Sequence, residues 1–348
     1  MMTFRSFQTL IAASALILLS ACGGGGGDAS PGPLSPAGFV ATSVEGALNF
    51  AVDSGIDGVW VYVDDGVAPP SAKASGVQNR ITQAPAREAD LFKIASISKL
   101  FIAVSAVKLI DGGMLRLSDT LAFWLPAEAA RIDNADQITV RQLLLHRSGV
   151  PDFDSQAGFS WTRPHTDDQA LLDIVFDLPA DFEPDARYEY SNTNYLLLGR
   201  VLNAALGYHH HDFVQNAILS PLGMSDTFLV LGDTDLALLA RGYWDGVDRT
   251  GQDYAIVGGS MVSTPKDVGV FIRALATGNL LTTNERSIYR SLFDSFGHSG
   301  WLPGFQSRAR YYADVDTVVV QFINNTGGDS EQVAARMHDA LVTLLRGP

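Results

Sequence analysis

A serine and a lysine three residues apart, Ser96 and Lys99, lie in the run FKIASISKLFIAV (residues 92–104). A serine hydroxyl is a poor nucleophile near neutral pH and needs a base beside it. Positions i and i+3 share a helix face, so this spacing sets an amine next to the hydroxyl. Ile97, Leu100, Phe101, Val104 and Val107 cover most of the circumference that follows, which predicts a central, buried helix opened by Ser96. Burial lowers a lysine pKa and makes the amine competent as a base. The N-terminus of the helix adds free N–H groups and a positive field, suited to a developing oxyanion. Spacing alone also admits a bland reading, in which Ser96 caps the helix and Lys99 reaches to solvent.

Other polar clusters carry less. YHHHD (residues 208–212) offers metal-ligand types, yet adjacent residues on a helix point in different directions, and no metal is expected there. His146 in LLLHRSG reads as a core or turn histidine that holds a loop. Asp152, Asp154, Trp161 and His165 fall in a loop able to overhang a cleft, and they are assigned no chemistry.

The elements that must position Ser96 and Lys99 follow from periodicity. A short helix over Val44 to Val52 precedes GVWVYVDDG, which alternates and ends in a turn signal, and SAKASGVQN supplies its partner strand. From Ser96 to about Leu219 the pattern is mostly helical, in TVRQLLLH, DDQALLDIVFDL, NTNYLLLGRVLNAAL and HDFVQNAILSPLG. Strand character returns after Gly297 in GHSGW, SRARYYAD and TVVVQFIN, before a closing helix SEQVAARMHDALVTLL. The expected fold class is α/β of the α+β kind: an antiparallel sheet built from both chain ends and flanked by helices, with an inserted, mostly helical subdomain. A cleft between the two parts is the default place for an active site.

The 348 residues, 47% of them hydrophobic, suffice for a substantial core. A formal net charge of −14 and the lack of any basic cluster argue against nucleic acid as a partner. No Gly-rich phosphate loop is present, and no diffusible cofactor is implied. Near the start, Arg5 leads into LIAASALILLSA, an apolar run too short to span a bilayer, which reads as a secretory signal. Leu19, Ser20, Ala21 and Cys22 resemble the lipobox of bacterial lipoproteins, in which the cysteine is lipidated. Cys22 is the chain's only cysteine, so no internal disulfide is possible. The expected organisation is a signal peptide over 1–21, a Gly/Pro-rich tether over 22–38 and one folded domain over 39–348, held to the membrane at the bacterial envelope, on its periplasmic side. An ordinary signal with an incidental cysteine is the alternative.

The stretch LFKIASISKLFIAVSAVKLIDGGMLRLSD resembles serine hydrolases of the β-lactamase and penicillin-binding-protein superfamily, in the class C branch that includes D-Ala-D-Ala carboxypeptidases, D-aminopeptidases and esterases. TVRQLLLHRSGVPDF, FEPDARYEYSNTNYLLLGRVL, ILSPLGMSDT, VGGSMVSTPKDVGVFIRAL and GHSGWLPGF look like successive family blocks in family order. The resemblance implies that Ser96 is the nucleophile and Lys99 its activating partner. Tyr190 and Asn192 match the family's Y-x-N element. The tyrosine would shuttle a proton, and the asparagine would bind a substrate amide and the lysine. Which of Lys99 and Tyr190 starts as the base is open. His298, Ser299 and Gly300 stand at the K-T-G element on the cleft strand, where the glycine lets a substrate backbone come close. The amides of Ser96 and Trp301 would form the oxyanion hole.

Three departures bear on specificity. His298 departs from the lysine of most β-lactamases but matches the histidine of several D,D-peptidases and esterases, in keeping with a D-Ala-D-Ala peptide; histidine titrates near neutrality, which makes recognition of a carboxylate less firm. Trp301 brings a bulky ring into or beside the cleft where many relatives have glycine. Residues 281–297 are short for the family, so the wall beside the His298 strand is expected to be more open or differently built. The expected activity is acyl transfer through Ser96, on a D-Ala-D-Ala-type peptide or a small carboxylic ester. A non-catalytic scaffold that binds peptidoglycan fragments is the reading from another class, and it would be marked by loss of Ser96, Lys99 or Tyr190.

Overall fold

Residues 39–278 and 280–347 are described in a computed structural model. The expected signal peptide, the tether and Cys22 lie outside them. Six antiparallel strands form the main sheet: β1 (Gly58–Asp64), β2 (Ser71–Asn79), β3 (Ala84–Pro85), β4 (Gly297–Leu302), β5 (Phe305–Tyr312) and β6 (Thr317–Ile323), in the order β3-β2-β1-β6-β5-β4. The two chain ends meet where β1 pairs with β6, with Trp60 opposite Phe322 and Tyr62 opposite Val320. Both strands are apolar almost throughout because both faces of the sheet are covered.

The main helices are α1 (Val44–Asp53), α2 (Ser98–Asp111), α3 (Val140–Leu144), α4 (Asn192–Leu206), α5 (Pro265–Thr277) and α6 (Ser330–Arg346). One face of the sheet carries Val59, Val61, Val319 and Ile323, which pack on Leu48 of α1 and on Met337 and Leu341 of α6. The other face carries Trp60, Phe305 and Phe322, whose rings pack on Phe92 of a separate short strand at centroid distances of 4.7 to 5.7 Å. Burying each such side chain contributes roughly 1.5–3 kcal/mol against the entropy of ordering it.

Helix α2 runs beneath this second face and is buried nearly all round, as its continuous apolar sequence requires. Phe101 of α2 stacks on Phe271 of α5 at 4.0 Å. Helix α3 starts with a full capping box, Thr139 with Gln142, and α4 follows Ser191 and ends in a left-handed Gly207. The segment expected to be short, residues 281–297, holds a helix at Thr283–Arg290, and β4 is the outermost strand of the sheet.

Candidate active site

Ser96 does not open α2 itself. It lies in a 3₁₀ turn, Ala95–Ile97, that runs directly into the helix at Ser98. Ala95 has φ +50°, the left-handed region that costs an L-residue roughly 1–2 kcal/mol. Surrounding contacts hold this turn in place. Ser98 Oγ donates to Ala95 O at 2.6 Å, Ile94 N–H donates to Met261 O at 3.0 Å, and Ser307 Oγ of β5 donates to Ile94 O at 2.7 Å. Strain maintained by so many contacts is typical of a functional turn.

Gly300 of β4 lies flat against the same turn. A Cβ there would stand 2.5 Å from Ile94 O, 2.8 Å from Ala95 Cβ and 2.4 Å from Ser307 Oγ. The glycine is thus needed for the approach of the serine turn to the sheet, a nearer demand than the substrate backbone inferred from sequence.

Lys99 Nζ has three partners: Ser96 Oγ at 3.1 Å, Asn192 Oδ1 at 2.8 Å and the Gly258 carbonyl at 3.2 Å. Three acceptors match the three N–H bonds of an ammonium. Burial nevertheless pushes the Lys99 pKa down to about 8, against the opposing pull of Asp152 and Asp154. The carbonyl of Gly258 reaches the amine from a left-handed backbone, φ +76°, and a Cβ there would lie 2.8 Å from Lys99 Cγ.

Tyr190 donates its hydroxyl hydrogen to Ser96 Oγ at 2.9 Å. Burial raises its pKa well above the usual value of 10, so it is a neutral phenol near pH 7. Lys99 is therefore the member of the pair whose shift moves it toward a base in that range. The tyrosine ring is fixed by His146, which stacks on it at 4.4 Å and also has a left-handed backbone, φ +54°. His146 Nδ1 accepts from Ser191 N–H at 3.2 Å, and burial keeps the imidazole neutral.

Asn192 meets Lys99 as the sequence implies, but its amide hydrogens differ from expectation. Nδ2 donates to Asp154 Oδ2 at 3.1 Å and to Asp152 Oδ2 at 3.3 Å, so two carboxyl groups hold the donors that were assigned to a substrate amide. These aspartates are the functional candidates that sequence reasoning passed over. Their i, i+2 spacing in an irregular loop carries no periodic signal, and only the fold brings them to Asn192.

His298 projects from β4 with its ring 6.3 Å from that of Tyr190, and its Nδ1 lies 2.5 Å from Ser299 O. Burial and then the Lys99 charge lower its pKa to about 4. Ser299 is exposed and pairs with Arg308. The Trp301 ring turns toward the end of β4, edge-to-face with Trp161 at 5.8 Å and Trp244 at 6.1 Å, and its Nε1–H donates to Glu331 at 3.1 Å. The ring is fixed by these contacts as one of three clustered tryptophans. The YHHHD block lies at the α4 boundary, where His210 is buried and its Nδ1 lies 2.8 Å from Asn203 Oδ1.

The family model described as Beta-lactamase matches residues 47–295, ending just before His298. The chain is 28% identical over 217 residues to penicillin-binding protein 4 of Amycolatopsis lactamdurans, covering 58% of this chain and 54% of that one. It is 28% identical over 188 residues to a beta-lactamase of Pseudomonas fluorescens, covering 53% and 49%. The matches span 31% to 54% of the length of the first curated relatives. Among solved structures, D-amino acid amidase from Ochrobactrum anthropi SV3, complexed with L-phenylalanine amide, superposes with a TM-score of 0.77 at 26% identity, covering 86% of this chain and 97% of the amidase.

Proposed function

Because the chain belongs to the beta-lactamase family, we propose that it is a serine hydrolase that forms an acyl-enzyme on Ser96 and releases it to water. The observation that carries this reading is the hydrogen-bonded triangle of Ser96 Oγ with Lys99 Nζ at 3.1 Å and Tyr190 Oη at 2.9 Å. In the proposed reaction the Ser96 oxygen bonds to the carbonyl carbon of an ester or amide, and its proton passes to neutral Lys99. The carbonyl oxygen becomes an oxyanion, received by the Ser96 and Trp301 amides that the family resemblance assigns to that role. On collapse the bond to the leaving group breaks; Tyr190, a neutral phenol beside Ser96 Oγ, gives its proton to the leaving group and regains one from the Lys99 ammonium, which returns to the free amine. Water then attacks the acyl carbon, losing a proton to Lys99, and the acyl–Ser96 bond breaks as that proton passes to Ser96 Oγ.

The substrate reading rests on His298. With a pKa near 4, its imidazole is uncharged at neutral pH and offers no cation to a carboxylate beyond the scissile bond. That supports a small ester, or an amide of the kind named for the structurally similar D-amino acid amidase, over a D-Ala-D-Ala peptide ending in a carboxylate.

Intact mass during exposure to p-nitrophenyl acetate and to penicillin, with Ser96→Ala as control, tests the proposal. An acyl adduct on the wild type and none on the variant is the expected result. Equal ester hydrolysis by a folded Ser96→Ala variant would refute it. D-phenylalanine amide and a D-Ala-D-Ala tripeptide, compared at equal concentration, separate the substrate classes.

A further inference from the structure

Asp152 and Asp154 take no part in the chemistry just described, yet the fold holds them with care. Phe153 between them is fully buried, its N–H donates to Thr193 Oγ1 at 3.0 Å, and that hydroxyl donates to Pro151 O at 2.8 Å. The first turn of α4 thus fixes the loop that carries both carboxyl groups. Asn192 of the same turn stands between them and the amine, its oxygen on Lys99 and its nitrogen on both aspartates.

The two carboxyl groups are neighbours, both accepting from Asn192 Nδ2. Asp152 Oδ1 is buried and has no N–H or hydroxyl partner. An orphaned buried carboxylate oxygen is costly. One proton shared between the two groups removes that cost, because carboxylates in contact cannot both ionise freely. Burial raises both pKa values, and the Asp154 charge adds to the rise at Asp152. The pair therefore resists full ionisation, and its charge belongs to the two groups together.

We propose that Asp152 and Asp154 are positioning residues which, through the oriented amide of Asn192, set the proton affinity of Lys99. They act as its counter-charge: the ammonium is held while the site rests, and the amine becomes a base in a pH range fixed by the pair. The catalytic consequence rests on the serine-hydrolase reading, whereas the charge coupling is measurable without turnover.

Among the described residues, the other titratable groups facing Lys99 are shifted toward their neutral forms. The rings of Tyr190, ahead of α4, and Tyr195, within it, lie 5.1 and 5.5 Å from Nζ, and burial raises both pKa values. His146, after α3, and His298, on β4, are lowered by burial and by the Lys99 charge itself. Gly258 presents only a carbonyl. Among these groups the aspartate pair alone supplies negative charge.

Carbon-13 NMR of protein labelled at lysine Cε reads the coupling directly, since the chain's lysines are only Lys73, Lys93, Lys99, Lys108 and Lys266. Lys99→Arg assigns the signal. In Asp152→Asn and Asp154→Asn, removing negative charge disfavours the ammonium, so the Lys99 midpoint falls by roughly one pH unit from its starting value, and further in the double variant. The acid limb of kcat/KM for a p-nitrophenyl ester moves to lower pH with it. Lys93, which does not contact the pair, keeps its midpoint and reports an intact fold.

An unchanged Lys99 midpoint in a folded double variant overturns the proposal. So does build-up of acyl-enzyme in Asp154→Asn at an unshifted midpoint, which would make the carboxylate a base for the deacylating water. A shifted midpoint in a protein that hydrolyses no ester or amide would retire the hydrolase reading and leave the coupling standing.

Discussion

Replacing Gly300 with alanine tests whether the sheet edge sets the position of the nucleophile. The added Cβ would stand 2.5 Å from Ile94 O and 2.8 Å from Ala95 Cβ, where real Cβ contacts almost never fall below 3.0 Å and are mostly beyond 3.4 Å. To clear those limits, the Ile94 carbonyl must retreat by about 0.5 to 0.9 Å. The third close atom, Ser307 Oγ at 2.4 Å, is a side chain that can rotate, but rotation breaks its bond to Ile94 O and frees a buried acceptor. Neither route leaves the Ser96 turn in place. A displacement approaching 1 Å at a nucleophile costs on the order of 10²-fold in rate. Overpacking of this kind costs roughly 1–3 kcal/mol of stability. The assays are kcat/KM for p-nitrophenyl acetate and thermal unfolding, with Gly300→Ala/Ser307→Gly as the partner variant. The double variant should recover part of the stability and little of the rate, because the backbone clash persists. Gly300→Ala with wild-type rate and midpoint would refute the reasoning, since it would mean the sheet edge moves freely away from the serine.

Two further outcomes follow from groups outside the triangle. Lys93 is buried with its Nζ on Gln252 O at 2.6 Å, and burial lowers its pKa to about 7. The unfolded chain therefore holds that proton more tightly than the folded one, and this lysine costs stability fully below pH 7 and progressively less up to about pH 10.5. Lys93→Met should raise the thermal midpoint most at pH 6 and least near pH 10, and a gain that grows with pH would contradict the assignment. Cys22→Ser should abolish palmitate incorporation and release the protein from the membrane fraction of an expressing bacterium; a variant still labelled would remove the lipid-anchor reading.

Much of this architecture is written locally. The strands at 58–64, 71–79 and 317–323 and the closing helix at 330–346 coincide with unbroken apolar or alternating runs bounded by turn residues, so the sheet from both chain ends was legible in advance. Ser96 and Lys99 were legible because their spacing means something on any helix. The turn ahead of α2 was not, because the left-handed Ala95 is imposed by tertiary contacts from Met261 and Ser307, far off in the chain. The aspartate pair stayed hidden for the same reason. A carboxylate in a loop has no period, and its meaning depends on Asn192, which lies about forty residues on.

The site's electrostatics explain why it is built at the junction of the two halves. A lysine able to act as a base near neutral pH must be buried deeply enough to lose its preference for charge, yet a fully isolated amine would lose its proton altogether. The sheet side contributes Gly300, against which the serine turn packs, and His298, whose pKa is lowered. The helical side contributes the polar partners: Tyr190, the Asn192 amide, the Gly258 carbonyl and, behind the amide, the aspartate pair. Separating those duties lets the desolvating surface and the counter-charge change independently. On this reasoning, substitutions on β4 should alter which substrates fit and how fast the serine reacts, while substitutions in the 152–154 loop should move the pH at which it does so.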